Sequence, residues 1–448
     1  MKSRKFVYFN LVITFLLLAA TNGTTLAGVS NRPVELSGQG VAATASGGPL
    51  GPPVVISFPP DVTARDTSSA YNKDKQEYLV VWWYDRPGCD DIFGRFVSSN
   101  GFPLTPRFPI ANGCPGERSY PDVTYNTQHK EYLVVWNYLA TSTNPPYCIQ
   151  GQRLSETGAL SGGVIDITDC SSTSTYAFYP AVDYSYASDK YEVVWSGRAA
   201  SAISANVQGQ TVSSAGALIG TSSMIAQGDA DFSYEYPDLA YNNRQNGYLV
   251  VYQRRGLVSP IYFDIYGHLV HGDGAPTGSP IEIRRVSSNG MYPKVAAMPS
   301  AFTKGQFLVV MEASFPPGNR WIDGRLINGD GSIYTNIFTI ATPVMYDHGS
   351  PKVAANDDTQ QYMVTWTSFS PVLTNTSWIY GLAVSTAGTL LSEEKFVGGL
   401  SANHSAVTSG PHGDFLVTFD EEPSASPWMV LGVFWGTRYP MYLPLVKK

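Results

Sequence analysis

The most regular feature of the chain is a short apolar run that recurs along most of its length. The run EYLVVW occupies Glu77–Trp82 and returns unchanged at Glu131–Trp136. Five weaker copies follow, KYEVVW, GYLVVY, QFLVVM, QYMVTW and DFLVTF, ending at Trp195, Tyr252, Met311, Trp366 and Phe419. The ends of successive copies lie 53 to 59 residues apart. Seven copies at this spacing predict a protein built from seven similar units.

Two further marks accompany the apolar run in a fixed order. Most copies are preceded by a Pro-containing segment such as SYPDVTYN or GSPKVAAN. Each is followed by a glycine inside a strand-like run, at Gly94, Gly151, Gly209, Gly267, Gly324, Gly381 and Gly432. A Gly-containing turn and a last apolar run, as in SETGALSGGVIDI, complete the unit. Each unit therefore predicts four antiparallel strands, and we expect the aromatic at the end of strand two to lie over the strand-three glycine.

The second strand of each unit is apolar on both faces, as LVV and MVT show. A sheet with one solvated face would instead alternate apolar and polar residues. Both faces must therefore be covered, and a ring of small sheets packed face to face covers them. The predicted fold class is all-β, a seven-bladed β-propeller of four-stranded antiparallel blades over residues 50–438.

The two ends of the repeat region predict how the ring closes. Residues 46–57, SGGPLGPPVVIS, have the form of a turn and fourth strand, but no first three strands precede them. The last unit has strands one to three and then continues into YPMYLPLVKK. We expect this N-terminal strand, Pro53–Ser57, to pair with the seventh blade, which leaves no open blade edge. The alternative is that Met441–Val446 forms that strand.

The N-terminus has the composition of an export signal. Basic MKSRK precedes the apolar run FVYFNLVITFLLLAA, and small residues end at Ala27. This is typical of a signal peptide, because a spanning helix needs about 20 apolar residues. We therefore expect residues 1–27 to be a signal peptide and 28–49 a flexible leader. We also expect no membrane span, a secreted, extracellular or cell-surface location, and a tail at 439–448 for sorting or attachment.

Four cysteines in an exported chain predict disulfides. Cys148 begins strand three of the second unit and Cys170 follows its strand four, and adjacent antiparallel strands bring these positions together. Cys89 and Cys114 hold nearly the same places in the first unit. The predicted pairs are Cys89–Cys114 and Cys148–Cys170. Without a C-x-x-C motif or a histidine at ligand spacing, no metal site is predicted from them.

Charge and motifs exclude several classes of function. The 448-residue chain has a formal net charge of −7 and shows no basic stripe, so a nucleic-acid partner is not expected. Nucleophile-elbow, phosphate-loop, metalloprotease and EF-hand motifs do not occur, and no cofactor is expected. His268 and His271 lie three apart on one strand and point to opposite faces, which disfavours a shared metal. A monomer is expected.

The loops that follow strands two and four emerge on one face of a propeller, and here they are long and irregular. Such loops on a rigid scaffold are where binding usually occurs. They carry aromatic and charged residues that suit a carbohydrate or a protein surface. The candidate ligand-binding residues are Trp83, Tyr84, Arg86, Asp91, Arg118, Tyr138, Arg254, Arg255, Arg320 and Trp378.

Three hypotheses of function follow. The first is a secreted binding or adhesion module that recognises a carbohydrate or a protein through the long-loop face. The second is an exported polysaccharide hydrolase or lyase that uses carboxylates such as Asp90, Asp91, Asp229 or Asp231 near the central channel. The third is a structural surface protein. Two carboxylates about 5–10 Å apart in a deep pocket would favour hydrolysis, whereas an aromatic ledge would favour binding.

Over residues 50–438 the repeat resembles that of secreted bacterial β-propellers with a YLVVW…I-x-G-x-x-L-S…G pattern. Units one, two and four match best, whereas Val193–Trp195, Met311 and Phe419 depart. The resemblance implies the propeller fold and export, and it implies no defined activity. The tail MYLPLVKK resembles the short YLPLV-plus-basic ending of exported bacterial proteins. The S-x-D-x-G-x-x-W boxes of sialidase-like propellers and the W-D dipeptide that ends WD40 blades do not occur in this sequence.

Overall fold

The computed structural model describes residues 47–57, 63–86, 89–140, 147–172, 174–285, 288–315, 318–344, 346–370, 372, 376–399, 401–422 and 428–436. These residues form 29 strands and one 3-10 turn at Pro411–Gly413. The strands fall into seven antiparallel sheets, one for each predicted unit. The predicted seven-bladed propeller of four-stranded blades is confirmed.

Within each of blades 1 to 6, four strands follow one another in chain order. Blade 1 contains β3 (Thr63–Asn72), β4 (Glu77–Asp85), β5 (Asp91–Ser98) and β6 (Phe108–Ala111). Blade 2 contains β7 (Glu117–Asn126), β8 (Glu131–Leu139), β9 (Tyr147–Ser155) and β10 (Leu160–Asp166). Blade 3 contains β11 (Thr175–Ser185), β12 (Lys190–Ala199), β13 (Asn206–Ser213) and β14 (Leu218–Ala226). Blade 4 contains β15 (Phe232–Asn242), β16 (Gly247–Gly256), β17 (Phe263–His271) and β18 (Pro276–Arg284).

The remaining blades repeat this order. Blade 5 contains β19 (Asn289–Met298), β20 (Gln306–Ser314), β21 (Arg320–Asn328) and β22 (Phe338–Ala341). Blade 6 contains β23 (Asp347–Asn356), β24 (Gln361–Phe369), β25 (Ser377–Ser385) and β26 (Lys395–Gly398). Blade 7 contains β27 (Ala402–Ser409), β28 (Phe415–Glu421) and β29 (Met429–Gly436), joined by β1 (Gly48–Pro49) and β2 (Val54–Val55). The first strand of every blade contacts the first strand of the next, and β27 contacts β3, so strand one lines a central channel.

The apolar second strands are buried between blades rather than inside one sheet. Leu79 and Val81 of blade 1 pack with Tyr132 and Val134 of blade 2. Their neighbours on the same strand point the other way, and Trp82 packs into the cluster shared with blade 7. Seven such clusters of described residues fill the seven interfaces. Each fully buried large apolar side chain contributes about 1.5–3 kcal/mol to folding, so a strand that is apolar on both faces stabilises two interfaces at once.

The N-terminal segment closes the ring, as predicted. Val54 pairs with Gly432, and Gly48 pairs with Gly436 farther along the same strand, β29. Ile56 is 1% exposed and packs into the interface of blades 7 and 1. The alternative strand, Met441–Val446, lies outside the described residues. The first and last blades are thus held together by chain segments from both ends of the propeller.

The prediction for the strand-three glycine is wrong in one respect. The register pairs Gly94 with Val81, whereas Trp82 pairs with Phe93. Successive strand residues point to opposite faces, so the terminal aromatic cannot lie over the glycine. A Cβ at Gly94 would instead lie 2.9 Å from Cδ1 of Ile110 on strand four. The glycine therefore makes room for an isoleucine of the outermost strand.

Both predicted disulfides, Cys89–Cys114 and Cys148–Cys170, are confirmed. Each joins the entry of strand three to the segment after strand four of one blade. Within the described residues, no helix is long and apolar enough to cross a bilayer. The predicted signal peptide at 1–27, most of the leader at 28–49 and the tail at 439–448 lie outside the described residues and stay predictions.

Candidate functional site

The first strand of every blade carries an irregularity at the same place. In blade 2, Ser119 pairs with Asn137 and Asp122 with Val135, so Tyr120 and Pro121 face a single residue of β8. The first residue of each such pair has a positive φ, between 38° and 55°. These seven bulge residues are Asp66, Tyr120, Tyr179, Tyr236, Tyr292, Ser350 and His404. Proline follows in five blades, where its missing N–H loses no ladder bond.

A left-handed backbone at a residue other than glycine costs on the order of 1–3 kcal/mol and persists only where neighbours enforce it. In blades 2, 3 and 7 the residue after the strand-two motif supplies that support to the next blade. Asn137 Oδ1 accepts a hydrogen bond from the Tyr179 N–H (3.1 Å), and Ser196 Oγ accepts one from the Tyr236 N–H (3.0 Å). Asp420 Oδ2 does the same for Asp66 N–H (3.1 Å). The bulges at Tyr179, Tyr236 and Asp66 are thus each bonded to the preceding blade.

All seven bulge residues border one cavity, the central channel, with a volume of about 710 Å³. The bulges lie near the start of strand one. Since Thr63 pairs with Asp85, that end of the strand lies beside the end of strand two. The bulge ring therefore lies toward the face that carries the long loops, which we call the rim loops.

Four consecutive bulge residues form a continuous aromatic surface. The ring centroids lie 5.1 Å apart for Tyr120 and Tyr179, 4.5 Å for Tyr179 and Tyr236, and 4.8 Å for Tyr236 and Tyr292. We call this set the tyrosine arc. Its two ends are well exposed, Tyr120 by 42% and Tyr292 by 40%. Burial raises the pKa of Tyr120 to about 12 and that of Tyr236 above its usual range, so the hydroxyls remain protonated donors at neutral pH.

The other three bulge residues, Ser350, His404 and Asp66, complete the circle as a polar arc. His404 Nδ1 lies 3.0 Å from Asp420 Oδ2 and 3.4 Å from Asp66 Oδ1. Burial opposes a charged imidazole, but the hydrogen bond to Asp420 and the charges of both carboxylates raise the pKa of His404 to about 9. Trp83 Nε1 donates to Asp66 Oδ2 at 2.8 Å. The channel mouth therefore has an aromatic side and a charged side.

Charged residues lie two positions beyond the bulge in four of the seven blades, at Asp122, Asp238, Lys294 and Lys352. Asp122 accepts hydrogen bonds from Ser68 Oγ (2.7 Å) and from the Val182 N–H (2.9 Å), and so connects three blades. Asp238 pairs with Lys294 Nζ at 3.1 Å. The backbone of Lys352 belongs to the β23–β24 ladder, whereas its ammonium group forms no hydrogen bond or ion pair with the described residues. Its burial, followed by the nearby charge of Lys294, lowers the pKa of Lys352 to about 8.

The ten candidates predicted from the sequence are spread around the rim, and one of them, Trp83, reaches a bulge residue. Tyr84 is 2% exposed and lies beneath the Arg107 guanidinium, 4.8 Å from its ring centroid. Arg86 forms an ion pair with Asp91, which is itself buried. The partners of Tyr84 and Arg86 thus both lie within blade 1.

The remaining candidates also have local partners. Arg118 lies 5.1 Å over the Tyr138 ring, and Arg255 pairs with Glu235 at 3.0 Å. Arg254 forms an ion pair with Asp264. Arg320 lies 3.6 Å from both Glu312 and Asp347, and Trp378 packs against Tyr346 at 5.0 Å. Arg118 also donates to the carbonyl oxygens of Asp90 (3.2 Å) and Gly113 (3.1 Å), so Arg118 and Tyr138 lie beside the Arg86–Asp91 pair. The candidates of blades 4, 5 and 6 have separate partners and do not join this group.

The carboxylates proposed for hydrolysis do not line the channel. Asp90 is buried in a rim loop and accepts the Arg86 N–H at 2.7 Å, and burial raises its pKa to about 6. Asp229 is exposed and accepts the N–H groups of Asp231 and Phe232 at 2.8 Å. Rim loops follow strands two and four, whereas strand one forms the wall of the channel. The carboxylates in the cavity wall are Asp66, Asp122, Asp183 and Asp238.

The channel residues belong to the segment before each motif, which the repeat pattern marks only as structural, and none of them is among the ten candidates. The sequence signal that points to them is variation between copies of this segment. The residue before proline changes from Tyr to Ser between copies, and the residue after proline changes from Asp to Lys. Asp66 and His404 lie in the two copies that lack the proline altogether.

Comparison with known proteins finds solved structures of similar fold but identifies no family. Neither a protein-family model nor a curated protein matches this chain. A protein of unknown function from Dyadobacter fermentans is 11% identical, covers 86% of this chain and 98% of its own, and has a TM-score of 0.53. An α-L-arabinanase of Penicillium chrysogenum, complexed with arabinobiose, is 11% identical over 85% of this chain and 97% of its own, with a TM-score of 0.49. A GH93 α-L-arabinofuranosidase of Fusarium graminearum is 13% identical over 85% and 97%, with a TM-score of 0.45.

Proposed function

We propose that this protein binds a carbohydrate at the mouth of its central channel, on the long-loop face. The observation that carries the proposal is the tyrosine arc set opposite the polar arc around one cavity. Seven residues with strained backbone meet there, and such clusters are characteristic of binding and active sites.

The two arcs match the two kinds of surface on a sugar. The ring faces of a pyranose or furanose are lined by C–H groups, and flat aromatic side chains offer apolar area to them without losing much side-chain entropy. The hydroxyl groups require hydrogen-bond partners, which Asp66, His404 and Lys352 supply from the other side. The cavity volume of about 710 Å³ lies within the range of sites that enclose small ligands.

Binding is favoured over hydrolysis by the engagement of the carboxylates. A glycoside hydrolase needs two carboxyl groups free to act on either side of the bond that is cleaved. Asp122 bonds to blades 1 and 3, Asp238 bonds to blade 5, and Asp420 is fully buried. Asp66 is held by Trp83. The hydrolase or lyase alternative predicts release of reducing sugar, which can be measured directly.

The two disulfides support a location outside the cytoplasm, because disulfides persist in oxidising compartments. We therefore infer a secreted or cell-surface protein that reaches its carbohydrate in the extracellular space. N-terminal sequencing of the exported chain should find Gly28 as the first residue.

The test is a glycan-array screen of the purified mature chain, followed by calorimetric titration of the best glycan. Tyr236→Ala interrupts the tyrosine arc at its centre, and Tyr236→Phe keeps the ring without its hydroxyl. Tyr186 is a matched control, because it is 40% exposed and packs against Tyr241 at 5.5 Å on the turn after β11, away from the rim loops.

Tyr236→Ala should weaken binding at least about tenfold, or about 1.4 kcal/mol, whereas Tyr186→Ala should leave affinity unchanged. Tyr236→Phe should retain most of the affinity. No glycan bound by the wild-type chain, or equal affinity in Tyr236→Ala, would overturn the proposal. Release of reducing sugar from a bound glycan would replace it with the hydrolase alternative.

A further inference from the structure

Two residues of the polar arc, Asp66 and His404, lie close to the buried carboxylate of Asp420 on β28. One atom each from Asp66, His404 and Asp420 lies within 4.8 Å of the other two. Asp66 belongs to blade 1, whereas His404 and Asp420 belong to blade 7, so the cluster spans the interface at which the ring closes. Both His404 and Asp66 are bulge residues, and the left-handed backbone at each faces the same cavity.

Two observations distinguish this cluster from an ordinary group of acidic residues. Asp420 is 0% exposed, and its Oδ1 has no hydrogen-bond partner among the described residues. The other oxygen, Oδ2, accepts the Asp66 N–H and lies beside His404 Nδ1. A buried carboxylate oxygen without a partner costs about 1–3 kcal/mol, or more for a charged group, and a bound cation would offset that cost. Asp66 is in turn oriented by the Trp83 N–H (2.8 Å), as carboxylates that bind metals are oriented by outer hydrogen bonds.

We propose that Asp66, His404 and Asp420 bind one divalent transition-metal ion, with Zn²⁺ as the preferred ion. One imidazole nitrogen and two carboxylates form a mixed set that suits Zn²⁺, whereas Ca²⁺ takes six to eight oxygen ligands and Mg²⁺ is bound through oxygen and water. Three protein ligands leave a coordination position for water or a ligand hydroxyl from the cavity. The metal would neutralise the buried charge of Asp420 and bind blade 7 to blade 1.

A protonated His404 can also compensate the two carboxylates, which makes metal content the deciding measurement. His129 provides a matched control, because its Nε2 lies 3.0 Å from Asp189 Oδ2 in a similar His–Asp pair. The side chains of His129 and Asp189 are both nearly half exposed, and among the described residues no third His, Cys, Asp or Glu lies close enough to complete a metal site there.

The experiment uses the full mature chain after dialysis against a chelator. Zn²⁺ alone is titrated by calorimetry, bound metal is counted by mass spectrometry after gel filtration, and Ca²⁺ and Mg²⁺ are titrated in parallel. We expect one equivalent of Zn²⁺. His404→Gln and Asp420→Asn should each weaken binding at least about thirtyfold, and His129→Gln should bind as the wild type does. The Asn variant keeps an acceptor for the Asp66 N–H.

Less than one tenth of an equivalent of Zn²⁺ in the wild-type chain, or unchanged affinity in His404→Gln, would overturn the proposal. If the variants fail to fold, Co²⁺ added to the wild-type chain gives an independent test. Its visible absorption spectrum should show tetrahedral or five-coordinate bands, and a spectrum of hydrated Co²⁺ would overturn the site. The assay contains no carbohydrate, so failure here leaves the proposed sugar binding standing, and the reverse also holds.

Discussion

Trp83 Nε1 donates a hydrogen bond of 2.8 Å to Asp66 Oδ2, and so joins the end of strand two in blade 1 to the bulge of strand one in the same blade. At the equivalent position blades 2 and 3 have Asn137 and Ser196, which bind the bulge of the next blade. An indole at this place cannot accept a hydrogen bond. It orients the carboxylate of Asp66 toward His404 instead.

Substituting Trp83 by Phe should therefore weaken carbohydrate binding without unfolding the blade. The phenyl ring keeps most of the apolar contact, and the lost hydrogen bond to a charged acceptor is worth about 1.5–3 kcal/mol, an upper limit for the loss of affinity. We expect the calorimetric affinity to fall about five- to tenfold and the melting temperature to change by no more than a few degrees.

Trp378→Phe is the control for this measurement, because Trp378 belongs to the rim and packs against Tyr346. It should retain the wild-type affinity. If Trp378→Phe loses more affinity than Trp83→Phe, the ligand contacts the rim loops and the channel assignment is wrong.

Ring closure can be tested at the contact between the first and last parts of the propeller. A Cβ at Gly432 would lie 2.7 Å from Cδ1 of Ile56 but 3.5 Å from its Cγ1. Gly432→Ala should therefore destabilise the protein by about 1–3 kcal/mol through overpacking. Ile56→Val removes the conflicting methyl group and alone should cost about 0.5–1.5 kcal/mol. The double variant should be more stable than the sum of both losses predicts.

The control pairs Gly432→Ala with Ile110→Val, which is the same chemical change beneath Gly94 in blade 1. Those two substitutions should be additive within about 0.5 kcal/mol in denaturant melts. If the stability losses of Gly432→Ala and Ile56→Val were also additive, the N-terminal strand would not lie against β29.

Much of this architecture follows from the sequence because the repeat samples the same physical problem seven times. Strands that are apolar on both faces need two neighbours, and the cysteine pairing in units one and two follows from strand register.

The channel site cannot be predicted from the sequence in the same way. Asp66 and His404 lie more than 330 residues apart and meet because the ring closes, and nothing in their local sequence shows a positive φ. The sequence shows that tyrosine repeatedly precedes proline. It does not show that these side chains all point into the channel, because their orientation depends on the bulge in strand one.

Glu192 replaces the leucine that the motif has at this position, for example Leu79 and Leu133. It is 0% exposed, and Thr211 Oγ1 donates to its Oε2 at 2.8 Å. Burial raises the pKa of Glu192 to about 8. Because the unfolded chain ionises this group near pH 4.5 and the folded chain only near pH 8, the free energy of unfolding should decrease as the pH rises through this window.

Glu192→Leu restores the motif and should remove that decrease. We expect the variant to be more stable than the wild type by about 1–3 kcal/mol at pH 8 and to differ least near pH 4. Denaturant melts at four values of pH from 4 to 8 measure the effect, with Glu192→Gln as the isosteric comparison. Parallel curves for the wild type and Glu192→Leu would show that Glu192 does not remain protonated in the folded chain.

Lys352 gives a reporter of channel occupancy. Burial, followed by the nearby charge of Lys294, lowers the pKa of Lys352 to about 8, so about half of its amines are neutral nucleophiles at that pH. Acetylation of the native chain, quantified by peptide mass spectrometry, should therefore show a midpoint near pH 8 at this residue.

The reference is Lys73, which is exposed on the turn after β3. A bound glycan should slow labelling of Lys352 at least about fivefold and leave Lys73 unchanged, because the channel wall contains the first and not the second. Equal protection of both residues, or protection of neither by a glycan that calorimetry shows to be bound, would place the carbohydrate outside the channel.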